Sequence, residues 1–272
     1  MRRTLFVHLA IIAAVAAEIS SVALAQAKEK AGNSITIVYN HEGAAAADLV
    51  KRGGFSAFVQ LENRSLVFDA GGEASVILQN LDSLGFDNVE LHALVISHNH
   101  WDHVFGLPGV MSGTRNTLPV YVTASAADSI KQQFPRAELI VVDGPTEIAP
   151  DTWLTGPLEI EFMGAPLSEQ ALVLENPDGL HVVVGCSHPG IVAIVERVRE
   201  MFPETPIAFV GGGFHLRSTG EEEVQRIAAD LERLGVQKIG PSHCTGEPAV
   251  NIFRDRWGKN FVNFDLGDTY RF

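Results

Sequence analysis

Six consecutive residues, His98-Asn99-His100-Trp101-Asp102-His103, carry three imidazoles and a carboxylate. Those are the side chains that ligate zinc, iron and manganese. The apolar run Leu94-Val95-Ile96-Ser97 ahead of them reads as a buried strand, and Gly106-Leu107-Pro108-Gly109 behind them carries turn signals. Alternation along an extended segment puts His98 and His100 on one side, so both can reach one ion. Asp102 and His103 follow where the chain turns into a helix, and they can serve a second ion. The whole chain holds ten histidines, which sets this cluster apart from a chance histidine-rich loop. The pattern implies metal-dependent chemistry.

Four other segments place chemistry-bearing residues next to glycine: Phe68-Asp69-Ala70-Gly71, Gly185-Cys186-Ser187-His188-Pro189-Gly190, Gly212-Gly213-Phe214-His215-Leu216 and Ser242-His243-Cys244-Thr245-Gly246. With these in place the sequence resembles the metallo-β-lactamase superfamily, whose signature is His-x-His-x-Asp-His at a strand end. Phe68-Asp69-Ala70-Gly71 is similar to that family's strand-ending Asp-x-Gly, which lies beneath the metal site. The three later segments resemble one branch, the dihydropterin-ribofuranosyl-aminobenzene-phosphate synthase-like metallo-hydrolases. The similarity runs from about Ser34 to the C-terminus. Fold and motif do not fix the substrate.

The resemblance assigns His98 and His100 to a first metal, and Asp102, His103 and His243 to a second. Most members supply a further histidine and then a Gly-Asp step whose carboxylate bridges both ions. Here that step reads Gly185-Cys186, and no histidine stands between Pro108 and Gly179. His188 is the substitute expected to complete the first metal's ligands. Cys186 is left with three roles, to bridge, to ligate weakly or to line the site; a thiolate bridge favours zinc over manganese. Two divalent ions are therefore expected, zinc first, with Mn2+ or Fe2+ left open. Such a pair activates water near neutral pH and polarises a carbonyl or phosphoryl oxygen, and Asp102 could orient the nucleophile. His215 is read as a group that either supports the ligands from behind or contacts the substrate, where it could donate a proton to the leaving group, with a buried structural histidine as the alternative. Asp69 is expected to fix the motif loop through hydrogen bonds. His41, His92 and His181 fall outside the motifs and read as surface or strand-end residues.

The N-terminus reads as a cleaved leader spanning residues 1–27. Arg2 and Arg3 precede an apolar stretch from Leu5 to Ala17, and small residues before Ala25 and Ala27 offer cleavage sites. Glu18, Ser20 and Ser21 keep the apolar run short of the ~20 residues a spanning helix needs. A periplasmic or secreted location follows, with no stable membrane insertion after cleavage. The remaining chain, residues 28–272, is long enough for one large domain. The full chain carries a net charge of −13, and no basic face suits nucleic acid. A small-molecule substrate is the expected partner. Two cysteines in an oxidising compartment could pair, but Cys186 and Cys244 each lie beside a candidate ligand histidine, which favours service at the site.

The elements that must position these residues alternate between strands and helices. Ile35–Asn40 reads as a strand, Phe55–Leu61 and Ser65–Asp69 as a hairpin, and Ala74–Leu84 as a helix with Val76, Ile77, Leu81 and Leu84 on one face. Strands Ala93–Ile96, Val120–Val122 and Glu138–Val142 follow, with a helix over Ala124–Phe134. The second half offers strands Leu158–Phe162, Ala171–Glu175, His181–Val184 and Pro206–Val210, and helices Ile191–Met201 and Glu221–Leu234. Hairpins mixed with strand–helix alternation predict an α/β fold, an αββα sandwich of two mixed β-sheets covered by helices on both outer faces.

The function expected from these residues is that of an exported hydrolase with a binuclear site, acting on a phosphoester, ester or lactone bond. Two alternatives stay open: a periplasmic metal- or ligand-binding protein without turnover, and a dihydropterin-phosphate synthase-like activity.

Overall fold

A computed structural model of the chain describes residues 32–43, 48–112 and 118–272; the expected leader lies outside them. The first half contributes β1 (Ser34–Tyr39), β2 (Ser56–Leu61), β3 (Arg64–Phe68), α1 (Ala74–Ser83), β4 (Ala93–Val95), α2 (Trp101–Val104), α3 (Leu107–Ser112), β5 (Pro119–Thr123), α4 (Ala124–Gln133) and β6 (Glu138–Val142). The second contributes β7 (Thr146–Ala149), β8 (Thr152–Leu154), β9 (Leu158–Phe162), β10 (Ala165–Glu169), β11 (Leu172–Asn176), β12 (Gly179–Val184), α5 (Ile191–Met201), β13 (Ile207–Gly213), α6 (Glu221–Arg233), β14 (Val236–Ser242), α7 (Glu247–Trp257) and β15 (Thr269–Arg271). Among the described residues no helix is long and apolar enough to cross a membrane.

Two sheets stack face to face. One has seven strands in the order β15-β1-β2-β3-β4-β5-β6; the other has six, in the order β14-β13-β12-β11-β8-β7. Each is mixed. Strands β3 to β6 run parallel in the first sheet and β12 to β14 in the second, beside antiparallel neighbours. The central parallel strands β3, β4, β12 and β13 are apolar on both faces because both faces are covered, whereas the edge strand β6 is largely exposed. In β12, Val182 and Val184 pack beneath α5 and α6, whereas Val183 points to the opposite sheet. In β3, Val67 packs towards α1, whereas Leu66 and Phe68 face the other sheet. Three apolar layers result, one between the sheets and one under each set of helices. This is the αββα sandwich.

Several elements carry no strong sequence signal. β14 contains Gly240 and Pro241, which disfavour strands, but β14 lies at the sheet edge, where a proline's missing N–H breaks no ladder. α7 has a proline in its first turn, a position where proline fits a helix. The Gly106–Gly109 turn signals prove to open α3, with Pro108 again near the start. β9 and β10 pair only with each other, as a hairpin outside both sheets.

The parallel strands share one consequence. Asp69 follows β3, Ser97 and His98 follow β4, Cys186 and His188 follow β12, His215 follows β13, and His243 follows β14. The carboxyl ends of these strands meet at one edge of the sandwich, where loops are free to carry chemistry.

His181 corrects the sequence expectation for an isolated histidine. It is buried in β12, donating from Nε2 to Asn176 Oδ1 at 3.1 Å and accepting at Nδ1 from the Tyr270 hydroxyl at 3.2 Å. Burial, and then the charge of Lys238, lower its pKa from 6.5 to about 4. Because the folded state disfavours the charged ring, this contribution to stability is complete above pH 6.5 and is lost as pH falls towards 4. His181→Gln should therefore be destabilising at pH 7, and the gap to the parent should narrow at pH 4.5. Urea unfolding at both pH values measures it; a gap independent of pH would contradict the assignment.

Candidate metal centre

The site is organised from below by Asp69. It is fully buried and sits in the left-handed region at φ 59°. Its Oδ1 accepts the Ser97 N–H at 2.7 Å, and its Oδ2 accepts both the Ser97 hydroxyl and His103 Nδ1–H at 2.7 Å. The Ser97 hydroxyl has spent its one proton on Asp69, so its oxygen accepts from His98 Nδ1–H at 2.9 Å. The network thus fixes two tautomers. His98 and His103 both keep their Nδ1 protons on the protein side and present Nε2 lone pairs to the cavity, the arrangement a metal-binding imidazole needs. Gly185 closes over this carboxylate: a Cβ there would collide with Ser97 Oγ and approach Asp69 Oδ2 to 3.1 Å.

Two ligand groups stand side by side above it. His98, His100 and His188 form one and Asp102, His103 and His243 the other; within each group the ligand atoms all lie within 4.8 Å of one another, and Cys186 makes three further groups of the same reach, with His98 and His103, with His188 and His215, and with His243 and Cys244. His98 Nε2 and His100 Nδ1 face each other at 3.0 Å. Asp102 Oδ2 lies 3.8 Å from His103 Nε2 and 3.6 Å from His243 Nε2. Cys186 stands between the groups, its Sγ 3.2 Å from His103 Nε2. Cys186 and Cys244 are both free thiols. Every candidate ligand read from the sequence, namely His98, His100, Asp102, His103, Cys186, His188 and His243, lies at this one place, with His215 beside them.

The chemistry of the donors fits divalent cations. Both ring nitrogens of His188 and of His243 are buried with no hydrogen-bond partner, and each such group costs about 1–3 kcal/mol when left unpaired. Ligation removes that cost at the nitrogen that binds. Burial and the neighbouring imidazoles hold His98 and His243 well below the usual histidine range, and burial followed by His215 lowers His188 to about 3. Those rings are neutral and ready to ligate. His103 differs: burial opposes its charge, but Asp69, Asp102 and Glu169 together outweigh it and raise the pKa to about 9. The field that holds a proton there favours a cation in its place. Three imidazoles on one side, and two imidazoles with a carboxylate on the other, suit zinc, iron or manganese.

Glu169 is a functional residue that the sequence reading did not single out. At the end of β10 it is fully buried, and it accepts the N–H groups of Cys186 and Ser187 on Oε1 at 2.8 and 2.7 Å and that of His188 on Oε2 at 2.8 Å. Three successive amides wrapped on one carboxylate fix the loop that presents Cys186 and His188. Ser187 takes φ 61° to do so. Burial pushes the Glu169 pKa up to about 7 against those hydrogen bonds. The sequence signal was the run Ser168-Glu169-Gln170 between Leu167 and Ala171, but an isolated glutamate reads as surface.

The family model for the metallo-β-lactamase superfamily matches residues 49–243. The chain belongs to the metallo-β-lactamase superfamily. It is 26% identical over 263 residues, spanning 80% of this chain and 90% of the relative, to a Methanocaldococcus jannaschii protein named 7,8-dihydropterin-6-methyl-4-(beta-D-ribofuranosyl)-aminobenzene-5'-phosphate synthase. A solved metal-dependent hydrolase of the β-lactamase superfamily superposes with a TM-score of 0.73 at 27% identity, covering 88% of this chain and 99% of that one. Zinc-bound PqqB from Methylobacterium extorquens shares the fold at a TM-score of 0.60 and 14% identity, over 88% of this chain and all of that one.

Within this metallo-β-lactamase fold the site opens into a cavity of about 690 Å³, lined by His100, Asp102, His188, His215 and His243 among others. His215 sits at φ 54° with its ring 4.4 Å from that of His188, and contact with Cys244 raises its pKa. It is exposed, which sets aside the buried structural reading. His41, read from the sequence as isolated, also lines the cavity.

Asp69→Asn tests the organising role. The amide offers a donor where His103 and Ser97 need acceptors, so divalent metal affinity should fall 10–100-fold, read by competition with a chromophoric chelator. Unaltered affinity in a folded variant would remove Asp69 from that role.

Proposed function

We propose that this chain is an exported metal-dependent hydrolase with a binuclear site, cleaving a phosphoester, ester or lactone bond. One observation carries the reading: two three-residue ligand groups, His98/His100/His188 and Asp102/His103/His243, lie side by side on one open cavity. Paired divalent cations, zinc foremost, would supply Lewis acidity for a carbonyl or phosphoryl oxygen and a water-derived nucleophile at neutral pH. Cys186, between the groups, would favour zinc over harder ions. Export is supported by Arg2, Arg3, the apolar stretch Leu5–Ala17 and the small residues at Ala25 and Ala27.

The chain's own residues divide the remaining work. Asp102 is part-exposed between His103 and His243, where its carboxylate orients the attacking water. His215 stands on the cavity wall within reach of a departing oxygen and hands it a proton. Asp69 and Glu169 keep the ligand rings and the Cys186–His188 loop in place while charge develops. The synthase reaction named for the methanogen relative is the competing assignment, and a binding protein without turnover is the other.

Metal content and turnover test the proposal together. Plasma mass spectrometry of the mature protein should find about two ions per chain, falling towards one in His188→Ala. One ion or none, unmoved by that variant, contradicts the binuclear site. A chromogenic phosphodiester and an acyl ester should show turnover abolished by chelator; a metal-loaded protein inert to both favours the non-hydrolytic alternatives. His215→Ala should lower kcat by roughly 10²-fold or more for a poorly departing alkoxide and much less for nitrophenolate, which needs no proton. Equal losses for both leaving groups would exclude His215 as the proton donor.

A further inference from the structure

The lining of the cavity holds two kinds of group that the ligand sets do not use. Arg217 is the one arginine or lysine among the lining residues. The chain holds 33 aspartates and glutamates against 20 lysines and arginines, and Arg197, Arg226, Arg233 and Arg256 each pair with a carboxylate. Among the described residues Arg217, like Arg52, Arg64, Arg136, Arg199, Arg254 and Arg271, pairs with none; its place on the cavity sets it apart. Its Nη2 donates to His41 Nε2 at 2.8 Å and to the His243 carbonyl at 3.4 Å, and its remaining donors have no protein acceptor there. Its backbone is held closely. Gly246, at φ 83°, packs so that a Cβ would come within 2.8 Å of the Arg217 Cα. A guanidinium fixed beside a metal ligand and left without a carboxylate is a ready partner for a planar anion.

The same lining also carries large apolar side chains. Phe162 closes β9 with its ring 4.5 Å from that of His188 and 5.5 Å from that of His100. The next two residues, Met163 at φ 51° and Gly164 at φ 80°, form the whole turn of the β9–β10 hairpin. Asparagine and glycine are favoured where both turn residues need positive φ, yet a methionine sits here and is 90% exposed. Trp101, 56% exposed, rests where a Cβ on Gly72 would meet its Cζ3 at 2.7 Å. Phe162, Met163 and Trp101 all line the same cavity as Arg217. Neither the fold nor the turn accounts for large apolar side chains held at that rim.

We propose that the substrate carries two recognition groups beyond the bond cleaved, an anionic group that Arg217 holds and an apolar group that lies against Phe162, Met163 and Trp101. The inference deepens the hydrolase reading and rests on it: the scissile bond lies over the ligand groups, with both recognition groups on the rim around it. A carboxylate and a phosphate present the same chemistry to the guanidinium, and the apolar side chains accept an aromatic ring or an alkyl chain.

Calorimetric titration of the zinc-loaded protein with phenylbutyrate and with phenylbutanol compares one apolar body with and without an anion. The parent should prefer the carboxylate about tenfold or more, as one charge-assisted bidentate contact gives. Arg217→Ala should remove most of that preference, and Arg217→Lys should restore part of it. Met163→Asn suits the turn better, so its melting temperature should hold or rise while both probes bind several-fold more weakly. Equal preference in the parent and in Arg217→Ala places the anion on the ions instead and overturns the proposal. So does a parent that binds neither probe or does not distinguish them. The titration needs no turnover, so a protein that binds as expected yet hydrolyses nothing sinks the hydrolase reading alone.

Discussion

One buried carboxylate holds the arrangement together. Asp69 accepts three hydrogen bonds, from the Ser97 amide, the Ser97 hydroxyl and His103 Nδ1. A charge with no exposure must be fully partnered or it destabilises the fold. Its partners are the residues that lead into and complete the His98–His103 motif, so satisfying that charge and orienting the candidate ligands are one and the same requirement. The cost of burial enforces the tautomers of two rings. Glu169 repeats the device from the other half, where three amides of the Cys186–His188 loop close on a second buried carboxylate.

The sheets explain why two such anchors meet. Parallel strands β3 to β6 and β12 to β14 end at the same edge, and the residues just past their ends must leave the extended conformation at once. Asp69, Ser187, His215 and His243 all do so with positive φ, between 53° and 61°. Non-glycine residues take that conformation at a cost, and such strain gathers where function dictates direction. The apolar layer between the sheets, with Phe68, Val95, Val183 and Phe209, keeps the two sets of strand ends in register.

Much of this was legible in the sequence because the signals are local. The His98–His103 pattern, the turn glycines beside Cys186, His188, His215 and His243, and the apolar runs of β3, β4, β12 and β13 all lie within single elements. Sequence reasoning brought forward every residue of the two ligand groups, and the architecture followed from hairpins mixed with strand–helix units. What it missed depends on neighbours distant in the chain. Glu169 looks like a surface glutamate until β10 carries it under the amides of residues 186–188. His41 and Arg217 are 176 residues apart and acquire meaning by touching. His181 looks exposed until Tyr270 and Phe272 cover it. β14 hid behind Gly240 and Pro241, which only an edge position tolerates.

The candidate ligands are spread from His98 to His243, with one group drawing on residues 98, 100 and 188 and the other on 102, 103 and 243. Neither group is complete within one sheet. A ribosome must have delivered both halves, and the two sheets must have packed, before either group is complete. A full ligand set is therefore a product of tertiary packing, and no unpacked half of the chain can offer one.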